Sequence, residues 1–184
     1  FFGLKKDWTI GITHDRGICL TGTDGGCPSA YDDLGLEVQL RLMGRGTLLV
    51  SATGGASVSS LSDPFVAGLD FGFQIKVRSS KYSLFARPKL YVGLAERDTR
   101  GDLLDAPVDL HYQVHPQTAV ALETGFVAPL DGIGDGFTIP VGLSSLFALN
   151  ERIDLGVALR FPELVGNGAG FDARELLGRV AFRL

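Results

Sequence analysis

The fifteen residues from Pro64 to Arg78, PFVAGLDFGFQIKVR, alternate between apolar and polar almost without a break. In an extended chain successive side chains point to opposite faces. Phe65, Ala67, Leu69, Phe71, Phe73, Ile75 and Val77 therefore share one face, and Val66, Gly68, Asp70, Gly72, Gln74, Lys76 and Arg78 share the other. Soluble strands commonly run about 5–6 residues. This one reaches the roughly 9–11 that an oblique membrane crossing needs, with a continuous apolar row to meet lipid.

The same period recurs at 8–13, 34–42, 82–94, 108–114, 120–126, 137–144, 153–161 and 176–184. With a weaker strand at Thr47 to Thr53, about ten strands are expected, and even counts are the rule in bacterial membrane barrels. Tight turns are expected at Gly44-Arg45-Gly46, Ser79-Ser80-Lys81, His115-Pro116-Gln117 and Asn150-Glu151-Arg152, whose residues suit hairpin bends. Longer loops are expected at Gly17 to Asp33, Gly54 to Asp63, Glu96 to Ala106, Asp131 to Gly136 and Pro162 to Gly170. Such alternation gives an up-and-down antiparallel barrel with short periplasmic turns, longer extracellular loops and both chain ends on the short-turn rim. Pro88 and Pro140 fall inside expected strands, where each removes a ladder hydrogen bond, so both are read as bulges or strand limits.

Composition narrows the class further. The chain of 184 residues fits one domain, residues 1–184, with 45% hydrophobic residues and no apolar run long enough for a membrane helix. A net charge of −4 and a pI near 5.3 exclude the basic face that nucleic acid requires. The 25 glycines lack a collagen period and suit turns and crowded strands. Phe1 to Asp7 has no features of a secretory signal. Cys19 and Cys27 lie close in sequence, in a segment rich in Gly, Thr and Pro, and are read as a disulfide, which implies an oxidising compartment.

Alternation alone leaves open which face points inward. A soluble lipocalin-like carrier would turn its apolar rows onto a ligand cavity. The inverse arrangement is favoured because the polar rows carry Gly, Ala and Ser between their charges, as a cramped interior requires. Aromatics such as Trp8, Phe65, Tyr82, Tyr112, Phe137, Phe161 and Phe182 stand near the ends of apolar rows, where interfacial girdles belong. The chain also stops inside its last expected strand.

In its hairpin rhythm and its final strand, Leu176 to Leu184, the chain resembles the small outer-membrane β-barrel proteins of Gram-negative bacteria. The last strand looks like their C-terminal assembly signal, except that it ends in Leu184 with the aromatic Phe182 two positions earlier. The resemblance implies location in the bacterial outer membrane and contact with its lipid and lipopolysaccharide; a larger envelope protein complex is a further candidate partner, which the sequence alone does not identify.

The inward polar rows would hold Glu37, Asp70, Asp109, Glu123, Asp154 and Glu175 against Arg41, Lys76, Arg78, Arg87, Lys89, Arg160, Arg179 and Arg183. Balanced charge in a narrow interior implies paired ions that plug it, because an unpaired buried charge costs several kcal/mol. The alternative is a narrow, anion-favouring channel. Catalysis needs an oriented base and nucleophile. His14-Asp15 sits at the long-loop rim without an aspartate pair, and neither His111 nor His115 is followed by Ser two residues on. No catalytic residue, cofactor or metal is therefore expected, and an outer-membrane enzyme ranks below the structural and channel roles. Asp24, Asp32, Asp33, Asp98, Asp102, Asp105, Asp131 and Asp135 are read as a solvated acidic rim. The stretch from Asp131 to Gly136 lacks the ligand run of a calcium loop.

Overall fold

The computed structural model describes residues 2–5, 7–13, 18–23, 34–60, 65–97, 101–134, 136–151, 153–166 and 170–182. Over these residues the chain is all β, and the fifteen strand segments belong to one antiparallel sheet. They are β1 (Phe2–Lys5), β2 (Trp8–Thr13), β3 (Ile18–Thr23), β4 (Leu34–Arg45), β5 (Leu48–Ser60), β6 (Val66–Arg78), β7 (Tyr82–Ala86) and β8 (Lys89–Ala95). The remainder are β9 (Leu103–Asp105), β10 (Val108–His115), β11 (Thr118–Thr124), β12 (Val127–Pro129), β13 (Thr138–Ala148), β14 (Ile153–Gly166) and β15 (Arg174–Phe182). Among the described residues no helix is long and apolar enough to cross a membrane.

Long hairpins dominate at both ends of the sequence, β4–β5–β6 on one side and β13–β14–β15 on the other. The tight turns fall where turn residues were expected. Gly46 closes β4 onto β5 with φ of +55°, a left-handed conformation that glycine adopts without strain. In the turn before β14, the Asn150 side-chain oxygen accepts from the Ile153 amide at 2.9 Å. The segments β2 and β3 take different partners: β2 pairs with β4, and β3 pairs with β15.

A line of interruptions crosses the middle of the sheet. Arg87-Pro88 separates β7 from β8, Ala106-Pro107 separates β9 from β10, and Gly125-Phe126 separates β11 from β12. On the flanking strand β13 the register shifts between Ile139 and Val141, around Pro140. The two sets of short segments, β7–β10–β11 and β8–β9–β12, both anchor on β6 and β13, so eight segments form a ring around this crease. Proline has no amide to donate. What pairing persists along the crease uses other groups: Phe73 N donates to Pro88 O at 2.9 Å, Arg87 N to Pro107 O at 3.0 Å, and Ala106 N to Phe126 O at 2.8 Å.

The two faces of the sheet differ in burial, with large apolar side chains on the exposed one. Leu122 is 45% exposed while its neighbour Glu123 is 7% exposed, and Leu143 at 64% adjoins Ser144 at 6%. The covered face carries Gly, Ser, Ala and charged residues together with the buried Val66 and Leu177, and Tyr91 is its largest fully buried side chain. Small residues there make room for larger neighbours. A Cβ on Gly68 would run into the Tyr91 ring, and a Cβ on Gly55 would strike the Leu36 carbonyl oxygen of β4.

Several expected boundaries are corrected. Ile18–Thr23 is a strand inside the expected loop from Gly17 to Asp33, and β5 runs through Ser60 where a loop from Gly54 was expected. The reason at Gly55 is strand packing, since a Cβ there would strike the Leu36 carbonyl oxygen of the paired strand. Leu103–Asp105 pairs with β8 and β12 instead of lying in a loop, and β14 continues to Gly166 past Pro162. The expected strand 82–94 is split at Arg87-Pro88, which agrees with reading Pro88 as a strand limit and Pro140 as a bulge. Cys27, His14 and Asp15 lie outside the described residues, as do Asp24, Asp32, Asp33, Asp98 and Asp135. Cys19 lies in β3 with its backbone opposite Leu177, and the disulfide expectation falls outside the described residues.

Candidate functional site

The inner face gathers its charges in two places, the first centred on Glu123 of β11. Strand alternation turns Glu123 inward, and the register aligns Glu123, Gly142 and Arg160 across β11, β13 and β14. Because Gly142 has no side chain, Arg160 passes over it, and Arg160 Nε donates to Glu123 Oε2 at 2.6 Å. A Cβ at Gly142 would lie 2.9 Å from Arg160 Cγ and 3.1 Å from the Leu159 carbonyl oxygen. From β15, Arg179 Nη1 donates to Oε1 at 2.8 Å and Nη2 to Oε2 at 3.2 Å. The planar guanidinium fork matches both carboxylate oxygens, the strongest form of charge-assisted pairing. One buried carboxylate thus ties three strands together.

Further pairs line the crease. Arg87 Nη2 lies 3.5 Å from Asp109 Oδ2, and Lys89 Nζ lies 3.8 Å from Asp105 Oδ2 of the opposite strand. Asp105 was expected on the acidic rim; it stands in the sheet because β9 is a strand. Asp102 is likewise engaged, accepting from Arg97 Nη2 at 2.8 Å and from the Gly93 amide at 3.0 Å.

Other expected members take different partners. Glu37 accepts from Gln39 Nε2 at 2.6 Å, and Asp70 accepts from Ser57 Oγ at 2.6 Å. Arg41 is exposed on β4 and is not joined to Glu37. Glu175 is buried on β15 with its backbone opposite Arg160, while Asp154 lies on β14 opposite Ala148 and Ala181. Lys76 and Arg78 lie apart from the Glu123 cluster, at the short-turn end.

There the second gathering surrounds a cavity of about 540 Å³, bordered by Lys76, Arg78, Lys81, Arg87, Phe85 and Asp109 among others. Lys76 Nζ is 5.5 Å and Arg87 Cζ 5.6 Å from the Phe85 ring centroid, within cation–π range. Sequence reasoning missed Phe85 and Tyr91 as inward residues. Both share parity with the inward charges, Phe85 with Arg87 and Tyr91 with Lys89, so strict alternation was the signal that could have found them. Among the described residues, no group of three or more His, Cys, Asp or Glu side chains is arranged to hold a metal ion.

Comparisons with protein-family models, with curated proteins and with solved structures find no match to this chain.

Proposed function

We propose that the protein is an integral β-barrel of the bacterial outer membrane, with a structural or partner-anchoring role in the cell envelope and an interior plugged by ion pairs. The observation that carries this is the inversion of the faces: thirty large apolar side chains stand exposed among the described residues, while Glu123 and Glu175 are buried. Each such side chain gains about 1.5–3 kcal/mol on leaving water. In water an outer surface of this kind is an aggregation liability, whereas lipid satisfies it.

Joining β7 with β8, β9 with β10 and β11 with β12 reduces the fifteen segments to twelve, with β1 beside β2 at one end of the order and β3 beside β15 at the other, and we read these as the wall of a barrel of about ten strands. The aromatic placement supports two girdles. Tyr82 and Tyr112 pair at 4.9 Å near the tight turns, and Phe161 meets Phe171 at 5.7 Å near the longer loops. A lipocalin-like carrier is disfavoured because its inner face would be apolar.

The plug follows from the Glu123 cluster, whose bonds span the interior side of the sheet between β11 and β15. In planar lipid bilayers the full chain should insert and show little steady conductance. Large, stable channels would replace the plugged reading with a porin-like one, and a monodisperse fold without detergent or lipid would overturn the membrane assignment.

A further inference from the structure

We propose that the cavity at the short-turn end of the inner face is a binding site for a small soluble anion bearing more than one negative charge, of the phosphate or pyrophosphate class. This goes beyond the envelope role and holds whether or not the interior is plugged.

The first ground is uncompensated charge. Lys76, Arg78, Lys81 and Arg87 border the cavity with one carboxylate, Asp109, which is already shared with Arg87. Lys76, Arg78 and Lys81 have no ion-pair partner among the described residues. The contrast with the Glu123 cluster is direct, since there one carboxylate receives two guanidinium groups. In a chain of net charge −4, the cations have been left unpaired where there is space beside them.

The second ground is organisation. Lys76 and Arg87 both approach the Phe85 ring, which draws them toward one place and softens their mutual repulsion. The Nε atom of Arg87 is shut off from solvent with no acceptor among the described residues, although a buried donor normally has one. The Arg87 side chain is 39% exposed overall, so a rotation of its guanidinium would present that donor to an oxyanion in the cavity. Hydroxyls of Ser80 and Ser83 on the same border offer further donors.

The third ground is size and side. A volume of about 540 Å³ falls in the range of small-ligand pockets. Its border includes inward residues of β6, β7, β10 and β11, so the cavity lies on the opposite side of the sheet from the exposed apolar rows. A dissolved anion reaches that side directly, whereas a lipid headgroup would have to leave its own surface.

Pyrophosphate titrated into the full chain in phosphatidylcholine nanodiscs, followed by isothermal calorimetry, tests the site. Saturable binding is expected, weakened about tenfold by Lys76→Gln and by Lys81→Gln, the loss of one charge-assisted hydrogen bond each. Arg45→Gln, an exposed basic residue near the same rim but outside the cavity border, should leave binding unchanged. Absence of saturable binding, or equal weakening by Arg45→Gln, would overturn the proposal. So would retention of phosphatidylglycerol by the wild type but not by Lys76→Gln in a protein that ignores pyrophosphate, because the site would then belong to a lipid headgroup. Amide circular dichroism of the same nanodiscs reads the fold separately, so a folded sample without binding counts against the cavity alone.

Discussion

Single residues decide how the interior holds together. Glu123 accepts from both Arg160 and Arg179 with its side chain only 9% exposed, so Glu123→Ala strands two guanidinium groups in a covered place. The expected loss is about 3–5 kcal/mol, read as a shift in urea unfolding of the protein in lipid vesicles. The Arg97–Asp102 pair is the comparator, because Arg97 is 61% exposed and Arg97→Ala should cost at most about 1 kcal/mol. Equal losses would remove any special weight from the interior cluster. Gly142→Leu should cost about 1–3 kcal/mol by overpacking, and its effect should be less than additive with Glu123→Ala, since both act on the path of Arg160. Strand parity made Glu123, Arg160 and Arg179 legible in the sequence as inward residues. Their mutual contact was not, because it depends on register across β11, β13, β14 and β15, and register is a long-range property that one sequence does not carry. The hydrogen bond from Gln39 to Glu37 on β4 was not read from the sequence either.

At the scale of elements, the alternating segments were legible wherever both rows kept their character, as in β6 and β14. They were misread where glycine served packing. Gly54 and Gly55 have the composition of a loop, yet β5 runs straight through them, because a side chain at Gly55 would strike the Leu36 carbonyl. Gly55→Val is accordingly expected to destabilise the β4–β5 hairpin by about 1–3 kcal/mol. Gly134→Ala, in a turn with open space around it, should change little. Refolding yield and urea midpoints of the two variants in vesicles would check this, and a tolerant Gly55→Val would mean that β4 and β5 can separate at no cost. The crease was half legible: Pro88 and Pro140 marked two of its points, while the gaps at Ala106-Pro107 and Gly125-Phe126 show their alignment only when the strands are laid side by side.

For the whole molecule, the question that periodicity left open was which face points outward, since an alternating pattern reads the same in a water-filled or a lipid-bound sheet. Burial separates a covered row from an exposed one, and one strand can test what the exposed row meets. Leu155 is 40% exposed, while a Cβ at Gly156 would lie 2.7 Å from Leu146 Cδ2. In a bilayer Leu155→Arg should cost about 2–4 kcal/mol near the midplane, and a nitroxide at position 155 should relax with oxygen dissolved in lipid. The same label at position 156 should either prevent folding or show no such relaxation. Aqueous quenching at position 155 would contradict a lipid-facing row. The crease gives the molecule a mechanical asymmetry as well. A seamless cylinder has no preferred place to yield, because each strand grips both neighbours along its length. Here the sheet carries a tear strip, across which the sets β7–β10–β11 and β8–β9–β12 can loosen separately, the second being held to β13 by the single register pair Val127 and Thr138. Amide hydrogen exchange should accordingly divide a run that is continuous in sequence, with Tyr82–Ala86 and Lys89–Ala95 exchanging as members of two different cooperative units.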